Sequence, residues 1–159
     1  MLSDADGVHL GADDLSLVAA RQIAGGRLLI GASASTAQAA LAATRSGADY
    51  IGCGPAFATP LKPQKAVIGP TGVAEVTSRV GPSVPVFAIG GIDATNIAQL
   101  TAAGVRRACV VRAVGDAPDP AAATREPRAK LEPGRAKGPA STGPPGGPDP
   151  FSPQGGLEP

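Results

Sequence analysis

Short apolar segments alternate with helix-periodic stretches five times along the first 112 residues, and this alternation constrains the fold more than any other feature. The segments Gly7–Leu10, Leu28–Ala32, Tyr50–Gly54, Val86–Gly90 and Ala108–Arg112 are bounded by Gly, Pro or Asp, as strands are. Helical patterns over Leu17–Ala24, Ala37–Ser46, Gly72–Val80 and Ala94–Ala103 separate them. Gly25-Gly26, Gly47, Gly81-Pro82 and Gly104 stop these helices, while Ser35, Thr36 and Asp93 are candidate caps. Serial β-α units predict a parallel sheet with right-handed crossovers. With 43% hydrophobic but only 3% aromatic residues, the core must be Ala, Val, Ile and Leu. That mixture suits parallel strands under Ala-rich helices.

Five strands do not close an eight-stranded barrel, which takes about 250 residues. Met1 lies six residues before the first strand, so we expect no further strands upstream. The alternative is an open doubly wound sheet, although no phosphate-loop fingerprint follows the first strand. Composition changes near Asp116. From Ala117 to Pro159 there are 11 Pro and 7 Gly in 43 residues, with no Val or Ile. We therefore expect two regions, a β/α domain over 1–116 and a disordered Pro/Gly-rich tail over 117–159. A short helical turn at Pro120–Arg125 is compatible with the start of that tail.

A net charge of +1 gives no reason to expect nucleic acid or an acidic membrane surface as a partner. Cys53 and Cys109 lack metal-site spacing and fall in apolar strands, so both read as small core residues in a reducing cytoplasm. No leader or membrane-spanning run is visible. The expected class is a soluble cytoplasmic α/β domain.

In β/α barrels, reacting groups sit after the carboxyl ends of the strands. After the first strand, Asp13 and Asp14 could hold a hard cation such as Mg²⁺ or cap the next helix. After the second, Ser33, Ser35 and Thr36 open a helix, which makes either an anion seat or a plain cap. The third is followed by a long loop from Gly54 containing Thr59 and Lys62, a point charge suited to phosphate. Gly90-Gly91 after the fourth lets backbone N–H groups approach an anion, and Arg112 after the fifth could face the same anion. His9, the single histidine, reads as a satisfied strand-end side chain, and Arg106 and Arg107 as solvated.

Together these residues resemble thiamine-phosphate synthase. The resemblance rests on Asp6–Gly11 with Asp13-Asp14, the run Gly47-Ala48-Asp49-Tyr50-Ile51-Gly52, Gly54-Pro55 with Thr59 and Lys62, Ala88–Ile92, and Val110–Val114. They are in register over roughly residues 5–125. The implied fold is the (β/α)8 TIM-barrel type, here incomplete with about five C-terminal β/α units. The implied activity joins hydroxymethylpyrimidine diphosphate to thiazole phosphate, giving thiamine phosphate and diphosphate through a dissociative step aided by Mg²⁺. Carried over by position, Asp14 is the metal ligand, Ser33 and Lys62 contact the pyrimidine diphosphate, and Thr59, Gly91, Val111 and Arg112 seat the thiazole phosphate.

There are departures from the family pattern. Leu61 stands in place of a usual second threonine, Ala12 of glutamine, Ser35 of histidine and Arg112 of serine. The family's first three strands have no counterpart, so the resemblance implies a half-built pyrimidine site and activity only with a complementing N-terminal fragment. A non-catalytic phosphate-binding remnant and a thiazole tautomerase-like protein are the competing expectations. The second would need an acid/base group that the loops after His9 do not offer as histidine.

Overall fold

The structure is a computed structural model that describes residues 5–131. Four parallel strands, β1 (Gly7–Leu10), β2 (Leu29–Ala34), β3 (Tyr50–Cys53) and β4 (Val86–Ala88), lie in chain order, so each neighbour in sequence is a neighbour in the sheet. The connections include helices α1 (Leu17–Ala24), α2 (Ala37–Arg45) and α3 (Gly69–Val80). They are followed by α4 (Ile97–Ala102), α5 (Arg112–Gly115) and α6 (Pro120–Leu131). The sheet is an open arc of the (β/α)-barrel type.

Register sorts the side chains by face. Val8 pairs with Ile30, Ala32 with Ile51, and Ile51 with Val86. Because side chains alternate along a strand, one face presents Leu10, Ile30, Ala32, Ile51, Cys53, Val86 and Ala88, all buried. This face packs with the apolar sides of the helices, where Ala20, Ala24, Ala40, Val73, Val76, Ile97 and Leu100 are buried. Each fully buried Ile or Leu contributes about 1.5–3 kcal/mol. The other face carries His9, Gly31, Ser33, Tyr50, Gly52 and Phe87, and in a barrel it lines the interior.

Local signals set the helix ends. Ser16 and Thr36 cap α1 and α2, accepting from Ala19 N–H (3.3 Å) and Ala39 N–H (3.1 Å). Pro70 lies in the first turn of α3, where its missing N–H costs nothing. At the amino ends of the strands Arg21 ties α1 to two loops, donating through Nη1 to Leu28 O (2.9 Å) and through Nη2 to Gly47 O (2.9 Å) and Asp49. Asp49 also accepts from Ile30 N–H (2.7 Å). That bond, with the Arg21 guanidinium, holds the Asp49 carboxyl below its ordinary pKa.

Three expectations change. The expected fifth strand, Ala108–Arg112, is one bridge, Ala88 to Ala108. Cys109 N–H reaches Ala88 O (2.8 Å), but the next rung would fall on Gly90, whose φ of 92° leaves the extended region. With no ladder to cover it, Cys109 is exposed rather than a core residue, whereas Cys53 is fully buried. Order also continues past Asp116. Asp119 caps α6 through Ala122 N–H (2.9 Å), Lys130 Nζ donates to Ala94 O (2.8 Å), Pro127 is buried, and Leu131 packs on the main core. The remainder of the expected tail, residues 132–159, lies outside the described residues. No helix among the described residues is long and apolar enough to cross a membrane.

Candidate functional site at the strand ends

Strand pairing brings His9, Ser33 and Tyr50 together across three strands. His9 Nε2 lies 2.9 Å from Ser33 Oγ, and Nδ1 lies 3.2 Å from the Tyr50 hydroxyl. A neutral imidazole offers one donor and one acceptor, so one hydroxyl accepts and the other donates. Gly31 makes the arrangement possible, because a methyl group there would overlap the Tyr50 ring. The Tyr50 ring in turn meets Phe87 edge-on, with centroids 5.9 Å apart. Burial lowers the His9 pKa, with Asp14 pulling it up and Lys62 pushing it down.

Asp14 does not cap α1, since Ser16 does. Its Oδ2 accepts from Gly11 N–H (2.7 Å), which holds the carboxylate over the end of β1. Asp13 beside it is exposed. A cleft of about 290 Å³ runs from Asp14 and Ser33 toward α2, with Leu17, Ala43 and Ser46 among its walls, and His9, Tyr50 and Lys62 do not line it. A cleft of similar volume between α2 and α3, lined in part by Arg45, Glu75 and Arg79, lies on the outer helical layer.

The loop after β3 is knitted to the loop after β4. Ala56 N–H donates to Ile89 O (2.8 Å) and Phe57 N–H to Gly90 O (3.0 Å). Gly91 has φ 63°, and a Cβ there would run into the Ala58 and Phe57 carbonyls, so only glycine fits. Asn96 Nδ2 fixes the Gly91 carbonyl at 2.7 Å. Thr59 Oγ1 accepts from Leu61 N–H (3.4 Å) in a turn that Lys62 N–H closes onto Thr59 O (3.3 Å). Val111 and Arg112 follow the Ala108 bridge, with Val111 63% exposed and Arg112 opening α5. Among the described residues, no hydrogen bond joins Arg112 to Gly91 or Lys62.

Ser33 thus meets His9 and Asp14 folds back onto Gly11 at the end of β1, while Thr59, Lys62 and Gly91 share the adjoining loop pair. Val111 and Arg112 stand at the next position along the sheet. Tyr50 went unremarked in the sequence as a site residue. The signal for it was the glycine at Gly31, which needs an account once register is known.

The profile of the thiamine monophosphate synthase family matches residues 1–114. The chain belongs to the thiamine monophosphate synthase family. The thiamine-phosphate synthase of Thermobifida fusca is 47% identical over 129 residues, covering 80% of this chain and 59% of the relative. That of Thermosynechococcus vestitus is 46% identical over 132 residues, 83% of this chain and 37% of the relative. The thiamine phosphate pyrophosphorylase structure from Pyrococcus furiosus superposes with a TM-score of 0.70 at 38% identity, covering 80% of this chain and 60% of that one. A 3-hexulose-6-phosphate synthase structure matches at TM-score 0.62 and 22% identity, a likeness of fold alone. This member therefore spans between about a third and three fifths of these relatives' length.

Proposed function

We propose that this chain supplies the carboxyl-terminal arc of a thiamine-phosphate synthase acting in the cytoplasm. The transferase reaction condenses hydroxymethylpyrimidine diphosphate with thiazole phosphate, giving thiamine phosphate and diphosphate. One observation carries the proposal. In a member of this family, neighbouring strand ends bring Ser33 Oγ to 2.9 Å from His9 Nε2 and hold the Asp14 carboxylate on Gly11 N–H at 2.7 Å.

In this reading Lys62 and Ser33 hold the pyrimidine diphosphate. Thr59, Gly91, Val111 and Arg112 seat the thiazole phosphate, with Gly91 allowing close backbone approach and the Arg112 guanidinium offering a planar fork. The carbon–oxygen bond to diphosphate breaks with its electron pair leaving on the diphosphate, and the thiazole nitrogen forms the new carbon–nitrogen bond. Positioning and charge complementarity then supply the rate.

Oxygen donors at Asp14, with Asp13 adjacent, suit Mg²⁺, which takes one or two carboxylates together with substrate phosphates and water. Among the described residues no group of three His, Cys, Asp or Glu comes together, so Asp14, with Asp13 beside it, would hold the ion only together with substrate phosphate oxygens and water. Such an ion would supply charge neutralisation for the leaving diphosphate.

The test mixes the chain with a polypeptide carrying the part of the Thermobifida fusca relative that it does not match. The expected result is no thiamine phosphate from the chain alone and turnover in the mixture that requires Mg²⁺ and both substrates. Lys62→Ala then lowers kcat/KM by about 100-fold. A folded complex without turnover leaves the phosphate-binding remnant as the better account.

A further inference from the structure

We infer that Tyr50 and His9 are positioning residues that act through Ser33. Tyr50 holds the His9 imidazole as its Nε2–H tautomer, and that tautomer leaves the Ser33 proton free for an anion. The anion is the pyrimidine diphosphate, and this last assignment rests on the function proposed above.

Strand pairing sets the three side chains on two levels. His9 lies beside Gly31 and Gly31 beside Tyr50, one row across β1, β2 and β3. Ser33 lies beside Gly52 in the next row on the same face, toward the carboxyl ends of the strands. A glycine in each row makes the room. A Cβ on Gly31 would overlap the Tyr50 ring, and one on Gly52 would come within 3.0 Å of His9 Cε1. The Tyr50 ring therefore extends over β2 toward His9, with ring centroids 5.5 Å apart and planes inclined at 35°. His9 bridges the rows, its Nδ1 at 3.2 Å from the Tyr50 hydroxyl and its Nε2 at 2.9 Å from Ser33 Oγ. Among the described residues neither hydroxyl has another hydrogen-bond partner.

The unequal acidity of the two hydroxyls decides where the proton sits. A neutral imidazole has one donor and one acceptor nitrogen, and the partner of one nitrogen fixes the state of the other. The phenol, with a pKa of about 10, is the stronger donor, and the aliphatic serine oxygen is the better acceptor. The favoured pairing has the Tyr50 hydroxyl donating to Nδ1 and Nε2–H donating to Ser33 Oγ. Ser33 then accepts from His9 and keeps its own proton for a ligand. In the other tautomer Nε2 holds the Ser33 proton, and the hydroxyl meets an anion with lone pairs only. Of the three side chains, Ser33 alone lines the cleft beside Asp14.

The experiment uses the full chain with 15N-labelled histidine at about pH 8, where the depressed His9 imidazole is neutral. The single histidine gives one pair of ring nitrogens, and NMR identifies the protonated one. Inorganic diphosphate is the binding probe, followed at the Ser33 amide. We expect Nε2–H in the native chain and a mixture of tautomers in Tyr50→Phe, which keeps a ring against Phe87. Diphosphate affinity falls about fivefold in that variant. His9→Gln supplies an amide N–H in place of Nε2–H, so it retains most of the affinity, and adding Tyr50→Phe to it costs nothing further. A Tyr50 with a merely structural role would cost as much in both backgrounds, and that result overturns the inference. Nδ1–H in the native chain, or an unchanged tautomer in Tyr50→Phe, overturns it too. A native chain with Nε2–H whose Ser33 amide ignores diphosphate supports the relay and defeats the diphosphate reading of Ser33 alone.

Discussion

His9 is the chain's single histidine, so its ring gives one readable NMR titration. Burial depresses its pKa below 6.5, with Asp14 and Lys62 opposing one another. Lys62→Ala should raise the value and Asp14→Asn should lower it further, and unchanged titration in both variants would remove the two charges from the site. A histidine depressed on folding contributes stability above its unfolded pKa of about 6.5, and that contribution is lost as pH falls through the folded value. The cysteines make a second contrast. Desolvation pushes Cys53 up to about 11, while Cys109 is exposed. A thiol reagent at neutral pH should modify one equivalent quickly, with Cys109→Ser removing that phase and Cys53 reacting only on unfolding. His9 was legible as a satisfied strand-end residue, but its partners Ser33 and Tyr50 follow from pairing across 24 and 41 residues.

For the elements, local signals carried most of the information. Thr36 opens a helix and Gly25 and Gly81 close two where their residue types predict, whereas Ser16 caps α1 in place of Asp13 or Asp14. The helix α4 begins later than expected, at Ile97, because Asp93 turns its side chain onto Thr95 and Asn96 instead of opening a helix. Composition concealed α6. Pro120, Pro127 and its charged residues resemble a tail, and docking against α4 and α5 supplies what its weak amphipathicity does not. Ending the chain after Asp116 should cost about 2–3 kcal/mol from lost burial of Pro127 and Leu131, lowering Tm by about 10 °C. Calorimetry showing an unchanged Tm would mean that α6 contributes nothing to the folded domain.

At the scale of the whole molecule, the arc leaves an interior-type face and a strand edge open, a combination that invites pairing. A polypeptide that binds only the folded arc must stabilise it by mass action. At a free concentration about 100 times its Kd the gain is about 2.7 kcal/mol. Tm should therefore rise with added complement, and a Tm independent of its concentration would rule out binding to the native arc. The sequence by itself determined the order of the elements, the parallel sense of the sheet and the loops that carry the candidate site, because caps, glycines and apolar runs act within a few residues. Only the tertiary structure decided that Gly31 makes room for Tyr50, that the ladder fails at Gly90 and that Pro120–Leu131 is held as a helix. Each of those depends on surfaces distant in sequence meeting at atomic distance, and no local window contains both partners.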